Sequence, residues 1–249
     1  MIAAITLVDL DDTLFQTRRK CPVDVAPDRL VPYAFDAAGV ALSFATPAQV
    51  ALIAWLETTT ICVAVTARSV DALCRSRLRF RHAIAAHGGV VLDSDRRASF
   101  EWRTAMGARM AAAADDLVAI AAGIERDADA AGVAVRVRIL EEDGLPLYVV
   151  IKHRAPEGDD AALHRACAPT TARLPAGWTA HVNGNNVAYL PPGLGKAAAV
   201  GWLLPQLKAA HPYLPVIGIG DSHTDAGFMQ LSDFAMLPTR SQLASRLFS

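Results

Sequence analysis

The chain has 249 residues, of which 53% are hydrophobic and 20% charged, and its formal net charge is -1. That balance excludes capture of nucleic acid or an anionic membrane by bulk charge, and the length fits one large domain or a core carrying a smaller one. The mean hydropathy of +0.26 comes largely from alanine, which suits soluble helices.

The least charged stretch, between Asp36 and Glu57, is interrupted by Ser43, Thr46, Pro47 and Gln49. It falls short of the ~20 apolar residues a membrane span requires. An acidic residue at Asp9 precedes any apolar segment long enough for a secretory leader. Cys21, Cys62, Cys74 and Cys167 show no CxxC or finger spacing and read as reduced thiols. The expectation is a soluble cytoplasmic protein.

Ile2 to Val8 is a short apolar run ending in acids, the pattern of a buried parallel strand feeding a loop. Residues 16–45, with prolines and the basic cluster Arg18-Arg19-Lys20, read as irregular. Thr46, Pro47 and Gln49 then form a capping box with proline at the first helical position, predicting a helix through Trp55 to about Glu57. Ile61–Val65 reads as a strand ending at Thr66, Ser69 as the cap of the next helix, and Ala83–Ala86 as a third strand. Strand, helix, strand, helix, strand favours a doubly wound parallel sheet.

The middle of the chain changes character. Residues 101–131 are alanine-rich and predict helix, broken near Gly123. Val133–Leu140 and Leu145–Lys152 alternate around Glu141-Glu142-Asp143-Gly144, a hairpin pattern. A helix near 159–172 and a second hairpin with Asn183-Gly184 at its tip follow. After Gly195 the parallel pattern returns: a helix over Lys196–Ala210, a strand over Val216–Ile219, a short helix, a strand near Phe234–Leu237 and a C-terminal helix. The expected fold is an α/β doubly wound parallel-sheet core, residues 1–88 and 187–249, interrupted by an α+β cap with antiparallel strands, residues 89–186.

The strongest local pattern is Asp9-Leu10-Asp11-Asp12-Thr13 directly after a buried strand. Period-two geometry puts Asp9 and Asp11 on one side, where two like charges call for a divalent cation or a shared proton. An EF-hand loop does not fit, because leucine and lysine stand where it needs glycine and glutamate. Three other strand or helix ends add Thr66, then Lys196 after Pro192-Gly193-Leu194-Gly195, then Asp221 and Asp225 in Gly220-Asp221-Ser222-His223-Thr224-Asp225. In an open parallel sheet the carboxyl ends of the strands form one rim where ligands bind. A carboxylate nucleophile, a second acid, a hydroxyl, an ammonium and a magnesium-binding acid are the parts needed for phosphoryl transfer.

The order Asp9/Asp11/Thr13, Thr66, Lys196 and Gly220-Asp221…Asp225 resembles the haloacid dehalogenase superfamily of phosphohydrolases. The insertion between the threonine and lysine motifs resembles the branch with an α/β cap, which includes sucrose-phosphate, trehalose-phosphate and mannosyl-phosphoglycerate phosphatases. The resemblance implies a Mg2+-dependent phosphatase of sugar phosphates or similar small phosphometabolites. By it Asp9 is the nucleophile and Asp11 the general acid/base, while Thr66 and Lys196 hold the phosphoryl group. Asp9, the backbone carbonyl of Asp11 and Asp221 bind the metal, with Asp225 supporting that site. Thr13 braces the nucleophile loop, and Thr13, Arg68, His87 and Lys152 are substrate-binding candidates.

The sequence departs from that pattern in four places. Asp12 stands where glycine is commonest, Thr66-Ala67-Arg68 replaces Thr-Gly-Arg, Thr224-Asp225 replaces Asn-Asp, and Ala86-His87-Gly88-Gly89 stands where many relatives carry Asn-Gly. His223 lies in the acidic loop, but magnesium prefers oxygen, so a place behind the ligands or in solvent is expected. The basic residues Arg75, Arg77, Arg79 and Arg81 interleave a single aromatic, Phe80, rather than the series of aromatics that base stacking uses, and read as cations beyond a helix end. A sugar phosphomutase is the alternative within the same chemistry. A phospho-acceptor signalling module would use similar groups, but it places its aspartate after a middle strand and carries no large insert.

Overall fold

The computed structural model describes residues 1–155 and 159–247. The chain divides into two compact units, Met1–Arg103 with Gly195–Ser249, and Thr104–Leu194.

The first unit is built on a six-stranded sheet. Its strands are β1 (Ala4–Val8), β5 (Thr60–Val65), β6 (His82–Ala85), β7 (Val90–Leu92), β12 (Val216–Ile219) and β13 (Phe234–Met236). Their spatial order is β13-β12-β1-β5-β6-β7. All pairs are parallel except β6–β7. β1 and β5 are buried along their whole length, as central strands covered on both faces must be. With β5 on one side of β1 and β12 on the other, the crossovers run in opposite directions from β1, and its carboxyl end is the switch point where such sheets bind ligands.

Residues 16–45 are not irregular. They form a small antiparallel sheet, β2 (Gln16–Thr17), β3 (Val31–Phe35) and β4 (Ala41–Ala45), ordered β2-β4-β3. The basic cluster and Pro27 fall in short 3-10 turns between β2 and β3. The β3–β4 hairpin closes on Asp36, whose carboxylate accepts the N–H groups of Ala38 and Val40. Pro32 and two register shifts around Tyr33 and Ala34 blur the alternation that would have announced the strands.

Helix α1 (Pro47–Thr59) starts on the expected capping box: Thr46 Oγ1 accepts from Gln49 N, and Gln49 Oε1 accepts from Thr46 N. Ser69 caps α2 (Val70–Cys74) by accepting from Ala72 N. Beyond α2, Arg75 pairs with Asp71 and Arg77 lies over the Phe35 ring, so both are tied to their own surroundings.

The second unit contains α4 (Ala114–Ala130), α5 (Asp160–Ala172) and a sheet of β8 (Val135–Glu142), β9 (Leu145–His153), β10 (Thr179–Asn183) and β11 (Asn186–Leu190), ordered β10-β11-β9-β8 and antiparallel throughout. Leu117, Ile120 and Ile124 of α4 and Leu163 and Cys167 of α5 pack with Val149, Ile151, Val187 and Tyr189 into its core. The helical stretch breaks between α3 (Phe100–Ala111) and α4 rather than near Gly123. Gly123 lies inside α4 because a Cβ there would sit 3.1 Å from Thr170 Oγ1 on α5; it permits close helix packing.

The unit boundaries fall later than the expected 88/89 and 186/187. β7 pairs with β6, and Trp102 is buried with its indole N–H on Gly88 O at 2.9 Å, so the chain stays with the first unit to Arg103. On return, β11 is the partner of β10 and β9, which holds it in the second unit. No helix among the described residues is long and apolar enough to cross a membrane.

Candidate active site

Asp9 is the first residue past β1, and its N–H donates to Ile219 O at 2.9 Å, so sheet pairing continues to the point where its side chain emerges. The chain then turns tightly, with the N–H groups of Leu14 and Phe15 returning to Leu10 O. Asp12 takes the left-handed conformation at φ 64°, the region that glycine enters most readily. Asp tolerates it better than most residues, and here its carboxylate pairs with Lys20. The turn brings Thr13 Oγ1 to 3.2 Å from Asp9 Oδ2 and 3.3 Å from Asp221 Oδ1. One hydroxyl proton is thus shared between two carboxylates.

Lys196 is the first residue of α6 (Lys196–Ala210). Its Nζ lies 2.6 Å from Asp9 Oδ1 and 2.8 Å from Asp225 Oδ1. Asp225 is wholly buried. Its other oxygen accepts from Ser222 Oγ at 2.7 Å and from the N–H groups of Ser222 and Asp221. Asp225 therefore ties α6 to the β12 loop, with both oxygens already engaged. Gly220 makes room for it, since a Cβ there would lie 2.6 Å from Asp225 Cβ.

Asp9, Asp221 and Asp225 offer oxygens within 4.8 Å of one another, and all three are buried. Against them stands one buried ammonium. Burial pushes Asp9 up to about 8, helped by Asp225 and opposed by Lys196. It likewise pushes Asp221 up to about 7, helped by Asp225 and Asp12. Burial works against the charge of Lys196 too, but the two carboxylates outweigh it and raise the ammonium above its ordinary value. For Asp225, burial is outweighed by Lys196 and the Ser222 donors, and its carboxyl falls below the usual range. Fully ionised, the three carboxylates would face a single ammonium, and the cluster presents only oxygen donors on the acid side, so it fits a small hard divalent cation.

Thr66 ends β5, the neighbour of β1, and is fully buried. Its Oγ1 accepts from Arg68 N at 3.1 Å, leaving the hydroxyl proton to point elsewhere. Arg68 donates to Asp11 through two atoms, Nε to Oδ2 at 2.8 Å and Nη2 to Oδ1 at 2.6 Å. His87 is buried in the left-handed region at φ 56°, next to Ala86 at 49°. The N–H groups of these two residues donate to Thr66 O and Arg68 O, so the bend braces the threonine loop. His223 is exposed. Lys152 lies on β9 of the second unit, opposite Arg136 and Asn186, and is exposed.

The structure thus gathers Asp9, Thr13, Lys196, Asp221 and Asp225 directly, and Asp11 with Arg68. Sequence reasoning missed three contributors. Ser43 on β4 contacts Arg68 Nη2 at 3.3 Å. Ser222 holds Asp225. Gln49 donates to Thr13 O at 3.2 Å and Gln16 Oε1 at 2.7 Å, joining the α1 cap to the loop that follows β1. Only Gln49 carried a local signal, through its capping box.

No family model matches the sequence, and no curated protein matches it. Solved structures do. The C-terminal domain of trehalose-6-phosphate phosphatase from C. albicans superposes with a TM-score of 0.60 at 12% identity, over 91% of this chain and 72% of that one. Sucrose-phosphatase from Synechocystis, solved with sucrose and phosphate, gives 0.55 at 13% identity, over 99% and 96%. IMP-nucleotidase from Plasmodium falciparum gives 0.55 at 11% identity, over 95% and 59%. At these identities the likeness is one of fold. The chain has the fold that these phosphatases share, a parallel α/β core interrupted in sequence by a second, α+β unit.

Proposed function

We propose that the protein is a cytoplasmic magnesium-dependent phosphatase of phosphorylated sugars or similar small metabolites, acting through an aspartyl-phosphate on Asp9. The observation that carries the reading is the contact of Lys196 with both Asp9 and Asp225 inside a buried group of three carboxylates. Four free cysteines suit a reducing compartment. The likeness to a trehalose-6-phosphate phosphatase and to a sucrose-phosphatase solved with sucrose and phosphate supports the sugar class.

Asp9 attacks phosphorus and the alcohol leaves with a proton from Asp11. Water then attacks the acyl phosphate, its proton passes to Asp11, and Asp9 regains its carboxylate. Lys196 places a positive charge beside the nucleophile and toward the phosphoryl oxygens, and Thr66 offers them a hydroxyl donor. Asp225 holds Lys196 in place, and Thr13 fixes the rotamers of Asp9 and Asp221. Asp9, Asp221 and the carbonyl of Asp11 would hold magnesium, with Asp225 behind them; the ion offsets the mutual repulsion of carboxylate and phosphate.

Asp9→Asn assayed beside wild type with Mg2+ on phosphorylated mono- and disaccharides, phosphoglycerates and nucleotides tests the proposal. Wild type releases phosphate from a sugar phosphate and the variant does not. Equal turnover by the two would remove the mechanism, and a nucleotide as the sole substrate would remove the sugar class.

A further inference from the structure

Arg68 is placed to act on Asp11 rather than on a substrate. Its Nε and Nη2 meet both oxygens of Asp11, at 2.8 and 2.6 Å, the planar two-point pairing that guanidinium makes and ammonium cannot. The arginine is itself anchored from several sides. Its guanidinium carbon sits 5.2 Å from the centre of the Phe15 ring, and Nη2 reaches Ser43 Oγ at 3.3 Å. Both Phe15 and Ser43 are buried. Its backbone is held by Thr66 Oγ1 and by Ala86 N. The side chain of Arg68 is 15% exposed against 41% for Asp11. The arginine is the fixed member of the pair, and the carboxyl is the member that faces open space.

We propose that Arg68 is a positioning residue that clamps Asp11 in the orientation for activating water on the phosphorylated enzyme. This rests on the phosphatase reading above. In that half-reaction water attacks phosphorus, the bond from phosphorus to the Asp9 oxygen breaks and its electron pair returns to Asp9, and a water proton passes to Asp11. A carboxylate offers about four lone-pair sites. Two are spent on Arg68, so Asp11 accepts the proton while still held. Without the clamp, Asp11 samples other rotamers and the water-activating geometry is populated only part of the time.

The test uses stopped-flow hydrolysis of p-nitrophenyl phosphate with Mg2+ by wild type, Arg68→Gln and Arg68→Lys. Nitrophenolate leaves without needing a proton, so formation of the aspartyl-phosphate stays fast in the variants. The expected result is a burst of about one equivalent of nitrophenolate, then a steady-state kcat lowered on the order of 10²-fold. KM falls with kcat, so kcat/KM is nearly unchanged. Lysine does not rescue, because it keeps the charge and loses the fork. Ser43→Ala removes one anchor, leaves the ion pair and shows the same pattern at smaller amplitude, which keeps the test alive if the Arg68 variants fold poorly.

A raised KM with kcat held would make Arg68 a substrate-binding group and overturn the proposal. So would rescue by lysine, or variants and Ser43→Ala without any burst. Turnover surviving in Asp9→Asn would instead sink the phosphatase reading itself, a separate outcome.

Discussion

Lys196 and Asp225 are joined at 2.8 Å with the aspartate wholly enclosed, so the ammonium facing Asp9 is held from behind by a second carboxylate. Removing Lys196 strands two buried carboxylates, and breaking a buried ion pair from one side costs about 3–5 kcal/mol. Lys196→Met is expected to lower the unfolding midpoint sharply in the presence of a chelator, and Mg2+ to restore part of the loss by supplying a cation. Asp9→Asn keeps the Lys196–Asp225 contact. It is expected to fold normally while losing turnover by about 10³-fold or more. Thermal melts of both variants with and without Mg2+, beside their phosphatase rates, check the contrast.

The metal-free protein is expected to lose stability as pH rises from about 4 to about 8. Asp9 and Asp221 are raised to about 8 and about 7, so the folded state keeps protons that the unfolded chain releases near its ordinary carboxylate range. Such groups give their full stabilisation below the unfolded value and lose it as pH climbs through the folded one. Asp225 is shifted the other way, but its window lies below pH 4; Lys196, raised above 10.5, contributes only at the alkaline extreme. Melts in chelator across this range should fall, and Mg2+ should flatten the slope. A midpoint that rises with pH would contradict the assignment.

Gly220→Ala is expected to disturb both fold and site. The added carbon would sit 2.6 Å from Asp225 Cβ and 3.1 Å from its Cγ, and overpacking of this kind costs about 1–3 kcal/mol. Because Asp225 must move, Lys196 moves with it and kcat falls. Gly107→Ala in α3 is the control: no atom lies within 4 Å of its new carbon, and alanine in a helix interior gains roughly 0.5–1 kcal/mol. Chemical unfolding and initial rates of the two variants distinguish local crowding from a general intolerance of glycine replacement.

Much of this was readable in the chain because the governing interactions are local. The capping box at Thr46–Gln49 and the Ser69 cap each depend on neighbours three residues apart. The acids, hydroxyl and lysine at strand ends were legible because parallel topology sends those ends to one rim. Long-range contacts were not legible. Nothing near Ser43 in sequence marks it as a support for Arg68, 25 residues away, and the β3–β4 hairpin was hidden by Pro32 and its register shifts. Gly123 read as a helix break because its reason, the approach of Thr170 on another helix, lies 47 residues downstream.

Gln49 and Thr46 form one capping box but are expected to fail differently. Thr46→Ala removes the side-chain acceptor for Gln49 N and costs about 1 kcal/mol, with little effect on kcat. Gln49 does more than cap: its amide nitrogen also donates to Thr13 O and to Gln16 Oε1. Thr13 is the residue whose hydroxyl bridges Asp9 and Asp221. Gln49→Ala leaves Thr46 Oγ1 its backbone donor but loses the acceptor for Thr46 N, and it also frees the backbone that places this bridge, so kcat should drop about 10-fold, a modest share of what misplacement of a catalytic group can cost. Gln49→Glu keeps an acceptor for Thr46 N but presents a carboxylate to Thr13 O, and should restore stability without restoring the rate. Unfolding midpoints and kcat for the three variants separate the two roles, and equal rate losses in Thr46→Ala and Gln49→Ala would assign the whole effect to the helix cap.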